Sequence, residues 1–223
     1  MSIADNLNRI KNQLEKGVEL VAVSKTKPVE AIEEAYQAGQ RIFGENRPQE
    51  LQQKAETLPK DIEWHMIGHL QSNKVKYIAP YVSLIHSIDK LSTLEEVNKR
   101  AKQNNRTIRV LLQMHIAEEE SKFGLTRQKL ENFLASPSLK ELENIKIVGM
   151  MGMATFTNDK KKVKSEFDTL KTIFDQTKEN YFKGNTDFKI LSMGMSGDFK
   201  IAMDSGSNMV RIGSDIFGKR ENH

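Results

Sequence analysis

Ile145-Lys146-Ile147-Val148-Gly149-Met150-Met151 is a short apolar run. Beyond it Val163, Phe167, Leu170, Ile173 and Phe174 recur at the spacing of one helix face, and Phe188-Lys189-Ile190-Leu191-Ser192-Met193 is apolar again. The two runs read as buried strands and the stretch between them as an amphipathic helix. Strand, helix, strand in that order is the unit of a parallel sheet, because a parallel neighbour is reached only through a crossover.

The alternation extends in both directions. Upstream, strands are expected at 18–23, 41–44, 62–67, Val82–Ile88 and 107–114. Helices follow them at Ala31, Ile32, Ala35 and Tyr36, at Pro48, Leu51, Ala55 and Leu58, near Asn73–Ala79, at Leu91, Leu94, Val97 and Ala101, and around Arg127–Leu134. Pro28 suits a helix start and Gly39 a helix end. Downstream, a short helix near Gly197–Met203 leads to an eighth strand, Met209-Val210-Arg211-Ile212. Eight such units in 223 residues predict an α/β fold, a single (β/α)8 TIM barrel, close to the lower size limit of that architecture. A doubly wound open sheet is the second reading, and it usually has fewer strands. Eleven residues follow Ile212, too few for a full closing helix, so the helix read from Ile3, Leu7, Ile10 and Leu14 is expected to cover the gap. With no linker, low-complexity stretch or repeat, residues 1–223 are expected to form one domain.

Composition narrows the function classes. Cysteine is absent, which excludes disulfides, thiolate catalysis and Cys-ligated metals. No apolar run approaches the roughly 18 residues of a membrane span, and the N-terminus lacks the basic and apolar regions of a signal peptide. A cytoplasmic protein is expected, without membrane partners. The net charge is +4, from 34 basic and 30 acidic residues. Basic and acidic residues are mixed along the chain. The one dense run, Lys160-Lys161-Lys162 with Lys164, reads as a solvated helix face rather than a nucleic-acid site.

Barrel chemistry sits at the C-terminal ends of the strands. Two of these ends stand out. In Val21-Ala22-Val23-Ser24-Lys25-Thr26-Lys27-Pro28 a lysine ends an apolar strand. Desolvation at a barrel mouth favours the neutral amine, the form that makes a Schiff base. Taken alone, such a lysine reads first as one that snorkels to solvent. Lys27 shares the parity of Lys25, and position favours Lys25, because Lys27 abuts Pro28. The second end pairs Ser192-Met193-Gly194-Met195-Ser196-Gly197-Asp198 with Arg211-Ile212-Gly213-Ser214, after strands seven and eight, where this fold usually places a phosphate. Ordinary loop chemistry, with Ser196 as a helix N-cap, stands level with the phosphate reading. A phosphate site and a strand-end lysine in one mouth point to pyridoxal 5′-phosphate (PLP). Elsewhere, His65 and His69 lie four apart with Glu63 nearby, but the pair lacks a third ligand at a recognised zinc spacing, so packing or loop hydrogen bonding is expected of the histidines. Met150, Met151, Met153, Met193 and Met195 read as core and mouth filler. No G-x-S-x-G, G-x-G-x-x-G or Walker loop occurs.

The chain resembles the pyridoxal phosphate homeostasis protein family (YggS/PROSC type) over nearly its whole length. The resemblance rests on 22–28, Phe43-Gly44-Glu45-Asn46, Trp64-His65-Met66-Ile67-Gly68-His69-Leu70-Gln71-Ser72-Asn73-Lys74, Gly149-Met150-Met151-Gly152-Met153-Ala154, 192–198 and 211–214, in that order. The family is similar to the barrel domain of alanine racemases. By this resemblance Lys25 is the Schiff-base lysine, with Asn46 in the same cofactor-binding set. Ser196, Gly197, Gly213 and Ser214 hold the phosphate, and Arg211 sits near the pyridine nitrogen. Arg47 stands where many members carry Tyr, and no role is assigned to it. No catalytic or metal-binding residue is expected. The β-rich second domain of the similar racemases is expected to be missing, since so little chain follows strand eight. A ring nitrogen facing Arg211 stays largely unprotonated and is a poor sink for carbanion charge. The resemblance therefore implies a PLP carrier or regulator in vitamin B6 homeostasis. Its partners would be PLP and PLP-dependent apoenzymes, and the chain would be a monomer. A PLP-dependent amino-acid racemase is the alternative, and a phosphosugar-type barrel enzyme without PLP a third class.

Overall fold

The computed structural model describes residues 2–118 and 123–218, so both ends of the expected 1–223 span lie outside it. Among these residues eight parallel strands close into a barrel in sequence order. They are β1 (Glu19–Val23), β2 (Ile42–Glu45), β3 (Glu63–Met66), β4 (Val82–Ile88), β5 (Ile108–Gln113), β6 (Ile145–Met151), β7 (Ile190–Ser192) and β8 (Met209–Ile212). The helices are α1 (Ile3–Lys11), α2 (Val29–Gln37), α3 (Pro48–Thr57), α4 (Val75–Ile78), α5 (Leu91–Gln103), α6 (Arg127–Leu134), α7 (Lys160–Tyr181), α8 (Phe199–Asp204) and α9 (Ser214–Phe217). The open-sheet reading falls on the β1–β8 seam, where Glu19, Leu20, Val21 and Ala22 register with Met209, Val210, Arg211 and Ile212.

Side-chain alternation sorts the barrel into two apolar layers. Leu20, Ala22, Phe43, Trp64, Met66, Val210 and Ile212 face the helices, within the larger core. Val21, Leu84, Leu111, Met151, Ile190 and Met209 fill the barrel interior. The parity that points Val21 inward also carries Val23 and Lys25 toward the interior side. On β8 it carries Met209 and Arg211 there.

α1 closes the gap after β8 as expected. A capping box between Ser2 and Asp5 starts it, and it packs against α2 and α9. Asn6 Nδ2 donates to Ile216 O (3.1 Å) and Arg9 Nη2 to Asp215 O (3.0 Å). Leu14 lies beyond its end.

Differences from expectation have local causes. β7 spans three residues because the Asn208 side chain takes over part of its ladder, accepting from Leu191 N (2.8 Å) and donating to Lys189 O (2.7 Å). α8 begins at Phe199 rather than Gly197. Asp198 N donates to Met195 O (3.0 Å) and its carboxylate accepts from Met195 N (2.6 Å), which folds 195–198 into a turn. The helix near Asn73–Ala79 divides into a 3-10 turn, Ser72–Lys74, and α4. A 3-10 turn at Pro137–Glu141 has no counterpart in the sequence reading. Gly149 sits at the β5–β6 register shift, where an added Cβ would meet Ile190 O at 1.8 Å, so glycine is required there. Among the described residues no helix is long and apolar enough to cross a membrane.

Candidate functional site

A cavity of about 690 Å³ opens at the C-terminal end of the barrel, and Lys25, Asn46, Ser196, Gly197, Arg211, Gly213 and Ser214 all line it. The sequence reading drew these residues from the ends of β1, β2, β7 and β8. Closure of the barrel brings them around one space of the size usual for a small-molecule site. Phe123, Met153, Phe156 and Met195 add an exposed apolar rim.

The β1 wall is set by an ionic network. Lys25 is half-buried in the turn after β1, where Lys27 N donates to Ser24 O (3.0 Å). Lys54, on the apolar face of α3, reaches this turn. Its Nζ donates to Ser24 O (2.8 Å), Glu45 Oε1 (2.7 Å) and Glu50 Oε1 (2.8 Å). Ser24 Oγ donates to Glu45 Oε1 (2.6 Å), and Glu50 Oε1 accepts from Thr26 N (2.6 Å). The residues on either side of Lys25 are therefore both tied to α3. Thr26 takes a φ of +63°, a conformation that costs a β-branched residue free energy and persists where the surroundings fix it. Burial pushes the Glu45 carboxyl up to about 7, against the pull of Lys54 and the Ser24 hydroxyl. Lys27 also reaches the cavity, and its Nζ donates to Phe217 O (3.0 Å), which ties it to the end of α9.

The wall made by the ends of β7 and β8 has a different character. Ser214 Oγ donates to Ser196 Oγ (3.2 Å), so the two hydroxyls picked from separate loops meet. A Cβ on Gly213 would stand 3.1 Å from Val23 O and 3.2 Å from Val23 Cβ. Gly194 has a φ of +102°, and its Cβ would meet that of Ala202 at 2.7 Å. Close backbone approach of these loops thus depends on glycine. Arg211 is buried, donating from Nη1 to Ser192 Oγ (2.5 Å) and from Nη2 to Gly152 O (3.2 Å). Burial lowers its pKa to about 10, partly opposed by Asp198, and the guanidinium stays charged at neutral pH. Burial raises Asp198 in turn.

The donor set fits an anionic, carbonyl-bearing ligand. It combines the Lys25 and Lys27 side chains, two converging hydroxyls on glycine-shaped loops, and a charged guanidinium. His65 and His69 do not converge. His65 Nδ1 lies 3.0 Å from His86 Nε2 inside the barrel, while His69 stacks on Phe123 at 3.8 Å and lines the cavity. Among the described residues no cluster of three or more His, Asp or Glu could hold a metal ion. The basic run opens α7, with Lys160 and Lys161 exposed and Lys162 paired with Glu118. The sequence reading missed Lys54 and His86. Each carried a signal: Lys54 falls among Leu51, Ala55 and Leu58 on one helix face, and His86 shares the parity of Leu84 in an apolar strand.

The family described as alanine racemase, N-terminal domain, matches residues 1–221. The pyridoxal phosphate homeostasis protein of Aquifex aeolicus (strain VF5) is 37% identical over 99% of this chain and 100% of its own length. That of Vibrio alginolyticus is 40% identical over 99% and 98%. PipY of Synechococcus elongatus PCC7942, in a structure with PLP bound, superposes with a TM-score of 0.87 at 34% identity, covering 97% of this chain and 100% of that one. An alanine racemase from Clostridium difficile 630 shares the barrel, with a TM-score of 0.77 at 20% identity over 99% of this chain and 60% of that one. With full-length relatives at this identity and a barrel of the same shape, the chain belongs to the pyridoxal phosphate homeostasis protein family.

Proposed function

We propose that this chain binds PLP in the barrel mouth and serves intracellular vitamin B6 balance as a carrier or regulator, acting as one domain over residues 1–223. The observation that carries the reading is the convergence of all seven expected residues on one cavity. Lys25 forms the Schiff base. Ser196 and Ser214, with the backbone at Gly197 and Gly213, take the phosphate. Asn46 lines the same space, and Arg211 meets the pyridine end. Bound PLP supplies an electron sink whose strength the protein sets through the ring nitrogen. A guanidinium that keeps its own proton leaves that nitrogen unprotonated, and this favours storage and delivery over carbanion chemistry. The partners are PLP and the apoenzymes that receive it, and the chain works as a monomer in the cytoplasm.

Two experiments test this. In the first, PLP is added to the protein, which is then reduced with borohydride. A yellow band lost on reduction, with the added mass on Lys25, supports the assignment. Lys25→Ala abolishes the band and Lys27→Ala leaves it. Modification mapping to Lys27 in Lys25→Ala reverses the assignment. In the second, deuterium uptake at Cα of a panel of amino acids is followed by NMR, with free PLP as control. Exchange well above the control and dependent on Lys25 would establish the racemase-like alternative.

A further inference from the structure

The barrel interior below the cavity holds a polar chain that runs inward from Arg211. Arg211 Nη1 donates to Ser192 Oγ at 2.5 Å, Ser192 Oγ lies 2.9 Å from His86 Nδ1, and His86 Nε2 lies 3.0 Å from His65 Nδ1. All four residues are buried, and the chain crosses from β8 through β7 and β4 to β3. Neighbouring interior positions are filled by Val21, Leu84, Leu111 and Ile190. Apolar filling would satisfy packing equally well, and a buried polar group is costly unless it is satisfied.

The direction of the chain follows from an inventory of donors. A guanidinium only donates. Ser192 Oγ accepts from Arg211, and the described contact left for its own proton is His86 Nδ1. His86 Nδ1 is then an acceptor, which places that ring's proton on Nε2. His86 Nε2–H donates to His65 Nδ1, which places the second ring's proton on Nε2 as well. His65 Nε2 is buried without a partner among the described residues, so the chain ends there. This order leaves one group unmet, His65 Nε2–H, whereas the reverse order would leave two, the Ser192 proton and the His65 Nε2 lone pair. Burial keeps both rings neutral, helped at His86 by the neighbouring His65 ring and the guanidiniums of Arg211 and Arg109, and at His65 by that of Arg109. Gly152 O holds Arg211 Nη2 from the end of β6. With both terminal nitrogens engaged, the guanidinium plane is fixed.

We infer that Ser192, His86 and His65 form a proton-ordered relay that positions Arg211, with both imidazoles in the Nε2–H tautomer. The inference rests on the reading that Arg211 meets the pyridine end of PLP, and the test separates the two. Long-range proton–nitrogen NMR of histidine-labelled, cofactor-free protein reads tautomers directly, with assignment by single His→Gln variants. His65 and His86 should both show protonated Nε2 and no titration between about pH 5.5 and 8.5, a window in which an unperturbed histidine titrates. An Nδ1–H tautomer or an imidazolium at either residue overturns the order.

PLP titration follows on the same protein. Ser192→Ala should weaken PLP about tenfold, shift the absorbance of the bound form, and mix the His86 tautomers. Ser192→Thr, which keeps the hydroxyl, should restore all three to within about threefold of the parent, as expected when one hydrogen bond is lost and regained. Normal PLP binding and absorbance in a folded Ser192→Ala overturns the positioning role. Failure of Ser192→Thr to rescue does the same. A parent protein that takes up no PLP overturns the cofactor reading, and the relay's purpose with it, whereas parent binding with an unaltered Ser192→Ala overturns the relay alone.

Discussion

The two walls of the cavity fix their key side chains by opposite means. At the β1 wall a buried cation, Lys54, gathers two carboxylates and a carbonyl around the turn that carries Lys25. At the β8 wall Arg211 is held by a hydroxyl and a carbonyl, and beyond the hydroxyl by neutral rings. The contrast follows from where each wall faces. Ser24 and Glu45 have the parity that points away from the barrel axis, toward α3, where a lysine can approach from the helix layer. Ser192, His86 and His65 point inward, where a second positive charge beside Arg211 would be unfavourable. The first device anchors a backbone turn through ions, and the second orients a side chain through neutral dipoles. They should therefore fail differently.

The largest expected effect is at the ionic wall. Lys54→Met leaves Glu45, Glu50 and Ser24 O without their cation, and breaking a buried pair from one side costs about 3–5 kcal/mol. Urea unfolding should show that loss. Replacing both partners, Lys54→Met with Glu45→Leu, should recover a large part of it, because an apolar pair leaves no uncompensated charge. A double variant as unstable as the single one would show that Lys54 acts through Glu50 and Ser24 rather than through Glu45. Ser192→Ala should cost less stability than Lys54→Met, since the bond it removes from Arg211 is one of two.

The walls should also respond to pH with opposite sign. Glu45 is raised from 4.5 to about 7 by burial. The folded state then binds this proton more tightly than the unfolded chain, so the contribution is largest at low pH and is lost as pH rises from about 4.5 through about 7. His65 is lowered to about 3 and His86 moves in the same direction. Their contribution is present above about pH 6.5 and is lost as pH falls below it. Between about 4.5 and 6.5 the two trends oppose each other. Glu45→Gln removes one of them. The stability difference between parent and Glu45→Gln should fall by about 1.4 kcal/mol per pH unit across the Glu45 window, for a total of about 3 kcal/mol. Acid unfolding of Glu45→Gln should be correspondingly steeper. A pH-independent difference would mean that Lys54 holds Glu45 ionised throughout.

The fold was legible because its signal is local and repeated. β4, β6 and β8 have the bounds read from their apolar runs, and α6 those read from helical spacing. The mouth was legible because strand ends announce themselves through Lys25, Asn46 and the Gly/Ser loops. The supports beneath it were not. His86 lies 21 residues from His65 and 106 from Ser192, and only closure of the barrel brings the three together. Lys54 received no role from the sequence, since its burial is decided by Glu45 and Ser24 on other elements. Parity could not choose between Lys25 and Lys27. Both lysines reach the cavity, and the contact of Lys27 with Phe217 O depends on α9, a single turn.

The smallest expected effect per residue concerns the hydroxyls with which the β7–β8 wall meets the proposed phosphate. Ser196 and Ser214 are 3.2 Å apart at Oγ, close enough to serve one anion together. A hydrogen bond to a charged group contributes about 1.5–3 kcal/mol, so each serine should be worth roughly tenfold or more in PLP affinity. Ser196→Ala and Ser214→Ala combined should weaken PLP strongly while leaving unphosphorylated pyridoxal almost unaffected. Neither change touches the α3 network or the histidine chain, so stability and its pH profile should stay those of the parent. The affinities are to be measured by absorbance titration of both ligands. Because the two hydroxyls touch, the double variant should fall short of the product of the single effects. Equal weakening of PLP and pyridoxal would move the phosphate away from this pair. It would leave Ser196 as an ordinary loop residue at the rim, the reading that stood level with the phosphate site in the sequence.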